Sequence, residues 1–249
     1  MLNLSASLVA SAIVNQRRRA TTDTPVKLRR EIESCRACPR LVRWRESVAR
    51  DKRAAYRSDV YWGRPVAGFG DAKARIVVLG LAPGAHGANR TGRVFTGDRS
   101  GDWLFRAMHR AGLANQPESQ NRDDGLVLSD AFVTVAVRCA PPENSPTPLE
   151  RKKCAPYLER EMTMLKQARV VVCLGNFAYV AACEHFGVAR RPKFGHGLVV
   201  PIDNAVAGGN MHLVCSYHPS QQNTFTGRLT EPMLDAVFAT ALRLAREAD

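Results

Sequence analysis

Four short apolar runs constrain this chain more than any other feature. They are Arg75-Ile-Val-Val-Leu79, Ala131-Phe-Val-Thr-Val-Ala-Val137, Arg169-Val-Val-Val-Cys-Leu174 and Met211-His-Leu-Val-Cys215. Each is too short for a buried helix, is rich in β-branched residues and shows little alternation of apolar with polar. Such runs are strands covered on both faces, the pattern of a parallel sheet. The stretches between them have helical spacing. Trp103, Leu104, Phe105, Met108 and Leu113 mark one helix over Gly101–Ala114. Another begins near Thr147, with Pro148 at its first position and Glu150 two residues further on, and runs to about Gln167. Asn176–Phe186 and Pro232–Glu247 are two more, the last with Leu234, Val237, Phe238, Ala241 and Leu242 on one face. Strands alternating with helices predict an α/β chain: a three-layer α/β/α sandwich around a four-stranded, mostly parallel sheet.

Residues 25–249 read as a single domain, preceded by a partly flexible segment over 1–24. In that segment the mildly apolar Leu2–Val14 comes before Arg17-Arg-Arg19, the reverse of a secretory signal. Thr24 and Pro25 open a charged helix to Ser34. Residues 41–58 mix cations with Leu41, Val42, Trp44 and Val48 and predict an amphipathic basic helix. Residues 59–72, 116–126, the four prolines between Pro141 and Pro148, and 187–210 are expected to be irregular. No run is long enough to span a bilayer. Seven cysteines, an odd number, argue against a secreted disulfide framework and for a reducing, cytoplasmic setting. A net charge of +13 favours a polyanionic partner, nucleic acid first, although an anionic membrane surface attracts the same cations. A monomer with no membrane role is expected.

The first strand runs into Gly80-Leu-Ala-Pro-Gly-Ala-His-Gly-Ala-Asn-Arg-Thr-Gly-Arg-Val-Phe-Thr-Gly-Asp98. In an open α/β sheet, ligands bind where loops leave the carboxyl ends of strands. Pro83 cannot extend the strand, and Gly84 and Gly87 admit backbone conformations that side chains forbid. The loop offers backbone donors, cations, an aromatic face at Phe95 and a carboxylate at Asp98. A plain glycine-rich turn, with Asp98 as a helix N-cap, is the simpler alternative. Cys35, Cys38, Cys139 and Cys154 form a second constellation, C-x2-C followed far downstream by C-x14-C. By spacing alone it suits zinc or an iron–sulfur cluster. Cys173, Cys183 and Cys215 lie in apolar contexts and read as core thiols.

Gly80–Asp98 resembles the first active-site motif of the family 5 (type B) uracil-DNA glycosylases. Tyr61-Trp-Gly-Arg-Pro-Val-Ala-Gly-Phe-Gly-Asp71 and His218-Pro-Ser-Gln-Gln-Asn-Thr-Phe-Thr-Gly-Arg-Leu-Thr230 resemble that family as well, and the likeness runs from about Cys35 onward. It implies a monofunctional DNA repair glycosylase that flips uracil or a related deaminated base out of DNA and hydrolyses its N-glycosidic bond with water. It implies a 4Fe-4S cluster on Cys35, Cys38, Cys139 and Cys154. Many relatives carry an acidic or amide side chain just after the motif's proline. Here Pro83-Gly84-Ala85 has none, a lack shared with family 5, in which the later aspartate, Asp98 here, is implicated instead.

The resemblance further implies that Gly80, Ala82, Pro83, Gly84, Ala85, His86 and Phe95 form the base pocket, with Phe95 as a stacking surface. Asn144 would position water or base, although several relatives carry an asparagine at the position of Val135. His218 would donate a hydrogen bond to the base carbonyl. Asn89, Arg90, Ser220, Arg228 and Leu229 would face DNA, with Arg228 on a phosphate and Leu229 filling the gap left by the flipped nucleotide. No lysine stands in the motifs as an imine-forming nucleophile, so lyase chemistry is not expected. A non-catalytic, metal-stabilised DNA-damage-binding protein of the same fold is the competing expectation. A relative that remains covalently attached to the abasic site would carry an extra basic segment after the first motif, and none stands between Asp98 and Trp103.

Overall fold

The computed structural model describes residues 23–204 and 209–247. Almost all of the N-terminal segment read as flexible lies outside them; its Asp23 forms an ion pair with Arg160 at 2.6 Å. Helices α1 (Pro25–Ser34) and α2 (Pro39–Asp51) open the described chain. The basic helix expected to reach residue 58 therefore stops at Asp51, where Lys52 takes φ 50°, and a separate 3-10 turn covers Ala54–Tyr56.

Strands β1 (Phe69–Gly70), β2 (Ile76–Gly80), β3 (Ala131–Val135), β4 (Val170–Leu174), β5 (Val199–Asn204) and β6 (Gly209–Ser216) form one sheet in the order β1-β3-β2-β4-β6-β5. The four expected strands are its parallel centre. The sheet has six strands rather than four because an antiparallel edge strand is added on each side. Neither edge is readable as a strand in sequence. β1 is two residues long, and β5 contains Pro201, which only an edge tolerates because it cannot donate to a neighbour.

Successive residues of each central strand point to opposite faces, and both faces are apolar. Ile76, Val78, Val133, Val135, Val172 and Val214 pack under α4 (Arg99–Arg110) and α8 (Glu231–Glu247) through Leu104, Phe105, Leu234 and Phe238. Val77, Leu79, Val171, Cys173, Leu213 and Cys215 pack under α5 (Pro148–Met164) and α6 (Asn176–His185) through Leu158, Ala178 and Tyr179. Double coverage explains why these strands lack alternation and gives the three layers. Cys173, Cys183 and Cys215 are buried in the second cluster. Thr147 caps α5 in a reciprocal capping box with Glu150. Glu150 also takes both arms of Arg40, tying α2 to the start of α5.

Candidate active site

The carboxyl ends of β2, β4 and β6 meet on one edge. β2 ends at Gly80, which must be glycine because a Cβ there would stand 2.6 Å from Cζ of Phe95. Gly175, after β4, takes φ 89° beside the Cβ of His218, which follows β6. The rings of Phe95 and His218 are 5.9 Å apart and tilted by 32°. Phe95 is nearly buried and holds φ 52°, a conformation that costs a non-glycine residue about 1–3 kcal/mol and is retained where its surroundings enforce it. One enforcing contact is Gly101, where a Cβ would collide with the Phe95 carbonyl oxygen at 1.9 Å.

Asp98 is the N-cap of α4, its Oδ1 accepting from Gly101 N–H at 3.1 Å. Its other oxygen faces back into the first loop: a Cβ on Gly84 would lie 2.9 Å from Oδ2, and one on Gly87 only 1.8 Å. Gly87 takes φ −96° and ψ −106°, a backbone conformation that side chains disfavour, as expected. Both glycines are also small because the carboxylate occupies the space a side chain would fill. Burial raises the Asp98 carboxyl above the usual aspartate range, against the opposing pull of the Gly101 and Ser100 N–H groups. Burial pushes His218 down to about 4, so its imidazole is neutral at physiological pH and has an N–H able to donate a hydrogen bond. Asp98 is thus a helix cap through Oδ1, with Oδ2 left facing the first loop.

The rest of the loop is less open than its composition suggests. Pro83 is buried, while Ala82, Gly84 and Ala85 are half-buried and bring no polar side chain. His86 shares a hydrogen bond of 3.0 Å between Nδ1 and the Tyr61 hydroxyl. Its pKa is lowered by burial and by the nearby Arg53 and Arg90. Asn89 does not face DNA as expected: it is 0% exposed on the single-turn helix α3 (Ala88–Thr91), donating to the Arg45 and Ala85 carbonyls. Arg90 is likewise spent inside. Its three nitrogens donate to His86 O, Gly97 O and the Asp59 carboxylate, and its guanidinium stacks 4.0 Å over Tyr56.

The segment after His218 is different. Ser220 caps the short helix α7 (Gln221–Phe225). Arg228 is exposed and stacked 4.5 Å over Tyr217. Leu229 also departs from expectation. It is 0% exposed, packed in the core with Leu234, and its N–H bonds to Asn223 O, so this conformation does not offer it to a duplex. The apolar side chain offered there is Phe225, 68% exposed, with the Arg99 guanidinium 4.3 Å over its ring. Sequence reading missed it; a phenylalanine inside an otherwise polar run was the available signal. Asn144 sits on an exposed turn with φ 54°, and its side chain makes no hydrogen bond among the described residues. A cleft of about 620 Å³, lined by Arg30, Arg36, Trp62 and Arg64 among others, shares no residue with the Asp98–His218 edge.

Cys35 ends α1, Cys38 caps α2, Cys139 follows β3 and Cys154 lies in α5. All four line one small cavity of about 20 Å³ with Leu41, Val137 and Tyr157. Burial pushes the Cys139 thiol up to about 12 and that of Cys154 to about 11. Donors surround them: Arg45 Nη1 reaches Cys139 Sγ at 2.9 Å, and Arg138 N–H reaches Cys154 Sγ at 3.2 Å. Among the described residues, no three His, Cys, Asp or Glu side chains are gathered tightly enough for a single metal ion. A tetrahedral zinc ion would draw its sulfurs to within about 4 Å of one another, given Zn–S bonds of about 2.3 Å. Four cysteines lining one cavity are also the donor set that an iron–sulfur cluster takes.

A parallel sheet covered on both faces, with a buried carboxylate on one loop and a neutral imidazole on another at its carboxyl edge, defines a class of protein. The chain belongs to the uracil DNA glycosylase superfamily, whose profile matches residues 67–242. It is similar to Type-5 members over most of its length. It is 54% identical over 217 residues to the Type-5 uracil-DNA glycosylase of Mycobacterium tuberculosis (strain CDC 1551 / Oshkosh), covering 86% of this chain and 79% of that one. It is 52% identical over 215 residues to the Type-5 uracil-DNA glycosylase of Thermus thermophilus, covering 86% and 95%. Similarity to the Type-4 uracil-DNA glycosylase of Pyrobaculum aerophilum is weaker, 29% over 195 residues, covering 78% and 82%.

Proposed function

We propose that this chain excises uracil and related deaminated or damaged bases from DNA, hydrolysing the N-glycosidic bond with water and leaving an abasic site. One observation carries the reading: the carboxylate of Asp98, held against Gly84 and Gly87, shares the sheet's carboxyl edge with the neutral imidazole of His218. Glycosidic cleavage puts positive charge on the sugar and negative charge on the departing base. Ionised Asp98 holds the attacking water and stabilises the sugar cation. The neutral His218 N–H stabilises the base oxygen as it gains charge, without a proton having to be supplied from solvent. Phe95 offers the flipped base an apolar edge, and Asn144, with its amide free, helps hold water or base. No lysine stands in the motifs 61–71, 80–98 and 218–230, so the reaction ends at hydrolysis.

DNA is held by the segment after His218: Arg228 takes a phosphate and Phe225 fills the space left by the flipped nucleotide. Cys35, Cys38, Cys139 and Cys154 hold a 4Fe-4S cluster, which when bound serves as a structural tie between the N-terminal helices and the loop after β3. The protein works inside the cell; among the described residues no helix is long and apolar enough to cross a membrane. The test is incubation with duplexes carrying uracil, hypoxanthine or ethenocytosine, then alkali. Breakage at the modified base supports the reading. Tight binding with no alkali-labile product contradicts it and leaves the non-catalytic damage-binding protein in its place.

A further inference from the structure

Arg45, on α2, is only 2% exposed. Its guanidinium donates to Cys139 Sγ at 2.9 Å and to the Cys35 carbonyl at 3.2 Å. A buried guanidinium needs compensating negative charge. Among the described residues the carboxylate in ion-pair range, Glu46, stands at 3.9 Å and is already held by both arms of Arg36. The Nε of Arg45 has no acceptor among the described residues. This cation is therefore placed directly against the sulfur of Cys139. The same residue turns its backbone the other way. Its carbonyl accepts from Asn89 Nδ2 at 3.2 Å; the same amide reaches Ala85 O at 3.4 Å, and Asn89 N–H reaches Gly84 O at 3.0 Å. Gly84 is packed against the carboxylate of Asp98. A continuous chain of buried contacts thus runs from Cys139 through Arg45 and Asn89 to the floor of the pocket.

We propose that Arg45 is a positioning residue that couples the thiolate-held metal centre to the first loop, so that an intact centre on Cys35 and Cys139 keeps Gly84–Asn89 ordered beneath Asp98. This rests on the reading of the four cysteines as cluster ligands. Coupling of this kind is reciprocal: whatever the centre contributes to the order of the loop, the loop returns to retention of the centre. Asn89 touches no cysteine, so a substitution there probes the link without altering the ligand shell.

The experiment uses the metal-loaded protein as purified and compares wild type with Asn89→Leu, Arg45→Met and Arg45→Lys. Iron release to a chelator is followed by loss of visible absorbance, and amide exchange is followed over residues 84–91 and, as a reference, over α8. Asn89→Leu should release iron about fivefold faster or more, the low end of typical coupling. Arg45→Met should speed exchange over 84–91 by a similar factor and leave α8 unchanged; Arg45→Lys should fall between Arg45→Met and wild type. If Arg45→Met does not fold, Asn89→Leu alone decides. Iron release from Asn89→Leu at the wild-type rate overturns the coupling while leaving the cluster assignment intact. Wild-type protein that carries no iron overturns the cluster assignment, and the coupling with it.

Discussion

Two loops border the same edge of the sheet and use their polar residues in opposite ways. The loop from Gly80 to Asp98 is the richer in polar types, yet most are consumed internally. Asn89 is fully buried, Arg90 is held by Asp59, and Arg93 by Asp124, Ser119 and Thr96. The segment from Ser220 to Thr230 leaves Gln221, Gln222, Phe225, Thr226 and Arg228 exposed and anchors itself in the core through Leu229. The lesson is that cations near a site are not by themselves contacts to a substrate. The first loop spends its cations on Asp59, Asp124 and its own backbone. The second keeps its polar side chains at the surface.

The sharpest break in this comparison is Gly87→Ala. An added Cβ would sit 1.8 Å from Asp98 Oδ2, so either the carboxylate or the loop must move. Single-turnover base excision should fall by about 10²-fold or more, with duplex affinity nearly unchanged, because only the chemical step loses its carboxylate. Unimpaired excision would show that the position of Asp98 is not critical.

Leu229→Ala and Phe225→Ala form a contrasting pair in the second segment. Leu229→Ala should cost about 2–5 kcal/mol of unfolding free energy in denaturant titration, as buried leucines do. Phe225→Ala should leave stability nearly untouched and weaken retention of the flipped state by about tenfold, an aromatic–base contact being worth about 1–3 kcal/mol. The loss should be smallest on mismatched or single-stranded substrate, where unstacking is already cheap. The opposite pattern would return the gap-filling role to Leu229.

Salt dependence gives the smallest effect. Arg228→Ala should flatten the slope of log affinity against log salt by about one unit. Arg90→Ala, whose guanidinium faces inward, should lower the melting temperature and leave the slope unchanged. Equal slope changes in both variants would erase the distinction between the loops.

The central sheet was legible because Val77, Val171 and Leu213 on one face and Val78, Val172 and Val214 on the other leave an unbroken apolar record. Phe69–Gly70 and Val199–Asn204 left none, being short or interrupted by Pro201 at an edge. That Phe95 and His218 share an edge was legible from their places beyond the carboxyl ends of β2 and β6. Which loop residues would be used up internally was not. Arg90 is held by Asp59, 31 residues away, and Asn89 by Arg45, 44 residues away, and no local pattern announces either contact. Leu229 was misplaced and Phe225 overlooked for the same reason: one polar run holds both, and only tertiary packing decides which is covered.

The central claim is that Asp98 acts as an ionised carboxylate beside a neutral His218. It is tested most directly by the pH dependence of single-turnover uracil excision in wild type and in Asp98→Asn. Asp98 has a raised pKa, so its active, deprotonated form is lost as pH falls. The wild-type rate should therefore rise with pH through a value above the ordinary aspartate range and then level. His218 adds no step above about 4, where it is already neutral. Asp98→Asn should be slower by about 10²-fold or more on the plateau and should lose that rise, with duplex affinity little changed. An Asp98→Asn protein that keeps the wild-type rate and pH profile while melting at a lower temperature would make Asp98 a helix cap and nothing more.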